Sequence, residues 1–318
     1  MKHSVFSKRK ILTCLILLST VVFTNACQVN SAYSNIFSES LDIVRFDKQS
    51  NSLWMADFVG EEVLRVVLDE GVPIRYNDSV MLVSLPNDTV VSSLCVSDDV
   101  WAELLTLSSE EFSIYKYDRE IGTWQKNSDF ASAKCKVFNN GGIAFWSTNK
   151  LLLATANTET VIINTPENLW DVSRDNVGNF WLATEDGGIF QYNGSSRWDH
   201  RYATIESPYI FFDTDNYLWV VNYEKVLRYD LNNSDGDAEK IIEIDLGAKQ
   251  SIFQDSRGRI WIIGTTKMFV WNGSAITEIR PPNGVNLIRY GDYDPNNNIL
   301  FISTDAGVFS ILLEGIAE

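Results

Sequence analysis

The sequence predicts an all-β fold, a single seven-bladed β-propeller of four-stranded antiparallel blades whose N-terminal strand closes the last blade. Three observations predict it. Apolar triplets centred on an aromatic recur seven times, at Trp54, Trp101, Phe145, Trp181, Trp219, Trp261 and Phe301. Three residues before these centres stand Asn51, Asp98, Gly142, Gly178, Asn216, Gly258 and Asn298, all of types that readily accept a left-handed backbone. The spacings are 47, 44, 36, 38, 42 and 40 residues, the length of one four-stranded blade and too uneven for a tightly stacked solenoid.

In chain order, residues 1–26 come first. Lys2, Lys8, Arg9 and Lys10 precede an uncharged apolar run from Ile11 to Phe23, followed by Thr24-Asn25-Ala26 and Cys27. Such a run is too short to span a bilayer comfortably and has the shape of a secretory signal. It resembles a bacterial lipoprotein signal, which implies cleavage before Cys27 and lipidation of that cysteine. Thr24 departs from the leucine usual there, so plain cleavage after Ala26 stays open. Gln28 in place of aspartate implies, by the same resemblance, an outer-membrane destination in a double-membraned bacterium. Residues 27–31 form a short tether and residues 32–318 the propeller.

Within the propeller, each centre is apolar on both sides, as in Phe180-Trp181-Leu182, so each marks a strand buried on both faces. The clearest blade, Leu169 to His200, reads as four short strands separated by turns at Asp175–Gly178, Glu185–Gly188 and Asn193–Ser196. The last repeat supplies strands at Leu287–Tyr290, Ile299–Ser303 and Val308–Leu312 and lacks an outer one. Ala32–Phe37, lying before the first inner strand at Asp42–Phe46, is the segment expected to fill that place, because an unclosed ring exposes strand edges.

Composition narrows the functions. Without residues 1–26 the chain carries 22 Lys plus Arg against 42 Asp plus Glu, a balance of −20 that repels nucleic acid and anionic headgroups. The expected membrane contact is therefore only the N-terminal lipid, and the expected state is a monomer. Cys95 and Cys135 fall on inner strands of neighbouring blades in a compartment that permits disulfides. Their positions relative to the aromatic centres do not match in depth, which favours two separate buried thiols over a bond. The mature chain has one histidine, His200, on an outer strand of the fourth blade, and no metal or cofactor site is expected. The acidic run Asp230–Asp237 has the look of a calcium loop, but Asp235 stands where such loops want glycine, so it reads as a solvated turn.

At DNVGNFWLATEDGGIFQYNG (Asp175–Gly194) and DSRGRIWIIGTTKMFVWNG (Asp255–Gly273), the chain resembles the propeller repeat of bacterial two-component regulators. That resemblance implies an extracytoplasmic ligand-sensing propeller, here without the membrane span and kinase that follow it in the family. The streptogramin-lyase type of propeller is a second relative. It implies an enzyme with a histidine and a divalent cation near the axis, where His200 is not expected.

Loops joining the second and third strands of a propeller's blades gather on one face around the axis. Here they hold Asp57, Glu61, Glu62, Glu110, Glu111, Glu185, Asp186, Glu224 and Asp305 against Lys150, Lys225 and Lys267, a balance suited to a basic partner. The expected function is a lipid-anchored, non-catalytic binding or scaffold protein of the cell envelope, using this face for a protein or extracellular ligand. The alternatives are a small-ligand sensor subunit binding in the axis, and a propeller lyase or glycan-active hydrolase.

Overall fold

The computed structural model describes residues 33–37, 41–57, 62–68, 80–130, 134–138, 142–154, 161–166, 168–192, 198–203, 205–231, 238–243, 246–247 and 251–316. Their strands form seven four-stranded antiparallel sheets, the blades of a propeller. Six blades use consecutive strands in simple order. Blade 7 instead lays Tyr33–Phe37 beside Gly307–Leu312, Ile299–Thr304 and Ile288–Asp294, so the N-terminal strand closes the ring. Tyr33 pairs with Ile311 and Phe37 with Val308, which removes the raw edge the last repeat would otherwise expose.

The core is divided among the blade interfaces. Trp54 packs on Val91 and Leu94 of blade 2, Trp219 on Ile260 and Ile262 of blade 6, and Trp261 on Leu300 and Ile302 of blade 7. These three indoles are fully buried. Each also needs an acceptor for its N–H, and an aspartate at the end of the inner strand supplies it. Trp181 Nε1 donates to Asp175 at 2.9 Å, Trp219 Nε1 to Asp213 at 2.8 Å and Trp261 Nε1 to Asp255 at 2.9 Å. The other oxygen of each aspartate accepts backbone N–H groups of the following turn. Asn51, Gly178, Asn216, Gly258 and Asn298 take positive φ in these turns, as their residue types suggested.

Blade 3 corrects the sequence alignment by one residue. Its pairing of Lys136 with Ala144, and its turn bond from Phe138 N to Gly142 O, match Ser173 with Trp181 and Asp175 N to Asn179 O in blade 4. Ala144, and not Phe145, therefore stands at the place of the other centres. A slip of one residue reverses the face of every side chain. Phe145 consequently turns back to blade 2, with its ring 6.1 Å from that of Trp101, while Trp146 packs toward blade 4. All four residues of Ile143–Trp146 are buried, so the apolar pattern held no clue to the register.

The same reversal decides the cysteines. Cys135 pairs with Phe145 and faces blade 2, where Cys95 faces blade 3, and the structure joins them in a disulfide with a Cα–Cα distance of 6.2 Å. The expectation of two separate thiols is corrected. What brings the sulfurs together is opposed faces across one interface, which matching depths along each strand does not measure.

Candidate functional site

The innermost strands alternate in character. Side chains facing the preceding blade at one depth are Val44, Leu94, Cys135, Val172, Ile210, Ile252 and Gly291, none of them charged. On the opposite face, at flanking depths, stand Lys134, Asp171, Tyr209 and Tyr290 in one ring and Arg45, Lys136 and Asp292 in the next. Ionisable groups thus occupy one parity of the inner strands.

Contacts place these groups at the axis. Lys136 of blade 3 donates to Asp171 Oδ2 of blade 4 at 2.8 Å and to Ile210 O of blade 5 at 2.7 Å, and Ile210 N donates to the same carboxylate oxygen at 2.8 Å. One side chain can bridge three successive blades only where their inner edges converge. Lys134 Nζ donates to Trp170 O at 3.0 Å and lies 3.6 Å from the centre of the Trp170 ring, which meets Tyr209 edge to face at 6.0 Å. Across the wheel, Arg45 Nε donates to Leu94 O at 2.9 Å, and its guanidinium lies 3.8 Å from the centre of the Tyr290 ring. Asp292 Oδ2 accepts from Phe46 N at 2.7 Å.

Three inner strands are bulged at one depth, between Val91 and Ser93, Leu169 and Asp171, and Ile288 and Tyr290. A bulge re-aims the extra residue, here Ser92, Trp170 and Arg289. These bulges lie at the strand ends that adjoin the loops between second and third strands, so the reshaped end of the axis opens on that face. Buried polar groups without partners also collect there. Trp170 Nε1 and Arg289 Nε have no hydrogen-bond partner among the described residues, although Arg289 Nη1 donates to Asp42 Oδ1 at 2.7 Å.

The local electrostatics are those of partly desolvated groups. Burial lowers the pKa of the Lys134 ammonium, opposed by Asp171 and Glu185. Burial, aided by Asp171 and Tyr290, pushes the Tyr209 phenol up to about 12. Tyr290 is raised by burial against the pull of Arg45, and so is Asp292. Both nevertheless keep part of their surface accessible.

The predicted loop acids fare unequally. Glu185 comes within electrostatic reach of Lys134. Asp186 accepts from Thr184 Oγ1 and interacts with His200, and Asp305 accepts from Asn286 N and Leu287 N, so both serve their own loops. Asp57, Glu62, Glu110, Glu111 and Glu224 are exposed, and the structure draws no cluster from them. Glu61, Cys27 and most of the acidic run after Asp230 lie outside the described residues. His200 sits on the outer strand Trp198–Ala203, against Phe190. Among the described residues no group of three or more His, Cys, Asp or Glu side chains is placed to hold a metal ion. None of these axial residues belongs to the loop acids that the sequence brings forward. The alternation in Ile43-Val44-Arg45 or Lys134-Cys135-Lys136 was the available signal.

No family model and no curated protein matches this chain. Solved structures do. A streptogramin B lyase overlays with a TM-score of 0.65 at 14% identity, over 87% of this chain and 96% of the lyase. A catalytically inactive histidine-to-alanine variant of virginiamycin B lyase from Staphylococcus aureus, with quinupristin, gives 0.65 at 14% identity over 88% and 98%. The extracellular domain of a hybrid two-component system from B. thetaiotaomicron gives 0.59 at 15% identity, over 87% of this chain and 40% of that one. Identities this low establish the fold. The expectation of a non-catalytic protein is corrected accordingly: lyases match this wheel over nearly their whole length, so the fold is one that enzymes use.

Proposed function

We propose that this chain is an exported propeller that binds a small ligand at the mouth of its axis, on the face of the loops between second and third strands. The observation that carries this reading is the set of inner-strand bulges together with the ionisable side chains that five separate blades direct into one axial site, at positions whose opposite face is uncharged. Export draws support from the signal-like N-terminus, from the Cys95–Cys135 disulfide, and from the likeness to an extracellular sensor domain. Tyr33 enters blade 7 at the end of Gly307–Leu312 remote from those loops. A lipid on Cys27 would therefore tether the wheel by the opposite face and leave the mouth open to the surroundings.

Catalysis at the same mouth is the second reading, favoured by the overlay with lyases. Lys134 and Asp292 would then be the acid–base groups, because burial shifts both toward their neutral forms. One experiment addresses both readings. A small-molecule library is screened by thermal shift and by mass spectrometry for turnover, with wild type and with Ser251→Trp, which fills the Tyr209 ring of the axis from blade 6. Hits that Ser251→Trp abolishes place binding in the axis, and product formation selects the catalytic reading. Hits untouched by the substitution would move the site elsewhere.

A further inference from the structure

The cations of the axial mouth differ in how far they are neutralised. Lys136 is paired with Asp171 at 2.8 Å and Arg289 with Asp42 at 2.7 Å. Arg45 and Lys134 have no carboxylate within ion-pair distance among the described residues. The Arg45 guanidinium is held in place by Leu94 O and the Tyr290 ring, with its Nη2 group uncommitted among the described residues. Among the described residues Lys134 bonds only a backbone carbonyl, and the indole N–H of Trp170 beside it is buried without an acceptor. Three donors, two of them cationic, await an acceptor.

Resting on the axial-site reading, the geometry points to a small organic monoanion bearing a carboxylate, its acid group neutralised by Lys134 and accepting from Trp170 Nε1, drawn into the axis by the further positive charge of Arg45, its body against Tyr209 and Tyr290. Charge-assisted bonds of this kind are the strong ones, and they strengthen where water is excluded. Asp171 stands in the same site and would repel a second negative charge, which selects a carboxylate over a phosphate dianion. The acidic rim does not forbid entry. Its exposed carboxylates are screened beyond about 8 Å at physiological ionic strength, whereas the partly buried cations below are screened much less.

The test follows the indole N–H resonance of Trp170, assigned by its disappearance in Trp170→Phe, in the isotope-labelled mature chain. The probes are acetate, phenylacetate, acetamide and methylammonium. Both acids should move the resonance saturably, phenylacetate at a concentration at least tenfold below acetate, and acetamide and methylammonium should leave it in place. Lys134→Met, shown folded by its dispersed amide spectrum, should weaken both acids by tenfold or more. A response to methylammonium, no response to either acid, or acid binding indifferent to Lys134→Met would overturn the assignment. The axial-site reading itself would survive any of these, because it stands or falls on the Ser251→Trp screen.

Discussion

At the scale of residues, one aspartate does two jobs in each of several blades, and this predicts an asymmetric response to conservative change. Asp213 Oδ1 accepts from Asp215 N and Tyr217 N, and Oδ2 accepts from the buried Trp219 indole. Asparagine can keep the first set, but its amide then points a donor at the indole N–H. Asp213→Asn should therefore destabilise the fold by about 1–3 kcal/mol in equilibrium denaturation, the cost of an unsatisfied buried donor. A change near zero would mean that the indole bond is dispensable. Tyr209 makes a second residue-level prediction. Its phenol is raised from 10.0 to about 12 by burial, then by Asp171 and Tyr290. The folded state thus holds a proton that the unfolded state releases first. Its contribution is complete below the ordinary tyrosine value and is lost as pH rises toward the folded one. Stability should fall over that window in wild type, and Tyr209→Phe should flatten the fall in urea titrations. An equally steep fall in the variant would separate Tyr209 from the effect.

At the scale of elements, blades 2 and 3 depart from the plan of the others, and the departures belong together. At the position of Asp175 they carry Ser97 and Phe138, and at the position of Trp181 blade 3 carries Ala144. These neighbours lack the aspartate-to-indole bond and are the pair that the disulfide joins. Closing a loop with a sequence separation of 40 residues should contribute about 2–4 kcal/mol by restricting the unfolded chain. Cys95→Ala with Cys135→Ala should lower stability by that amount, and reductant should then have no further effect on the variant. Equal stability of the oxidised wild type and the double variant would remove the cross-link from the account. Blade 3 is also where the sequence pattern becomes ambiguous. Blade number, closure and most strand positions follow from Trp and turn spacing, because a Trp preceded by a left-handed residue has few structural meanings. The face of Phe145 does not follow, because a strand buried on both sides has no polar residue to set its parity. The axial site was half legible: alternation in the inner strands was visible, but bridging by Lys136 across blades 3, 4 and 5 needs coordinates.

At the scale of the whole molecule, closure and site are one problem. The junction of blades 7 and 1 is where distant parts of the chain meet, and three of the axial contacts cross it: Arg45 on Tyr290, Phe46 N to Asp292, and Arg289 to Asp42. In an open array of repeats each unit contacts only its neighbours, so terminal units fray independently. A closed wheel has no terminal unit, and its blades should unfold together. Removing the strand Tyr33–Phe37 restores an end: Gly307–Leu312 loses its outer partner, and the junction is held by side chains alone. Such a truncated chain should melt in two steps, the first opening blade 7 from blade 1. That first step should also abolish the response of the Trp170 indole to phenylacetate, although Trp170 lies in blade 4, because Arg45 and Tyr290 separate when the ring parts. A single transition at the wild-type temperature, with ligand response intact, would show that the N-terminal strand neither closes the wheel nor maintains its axis.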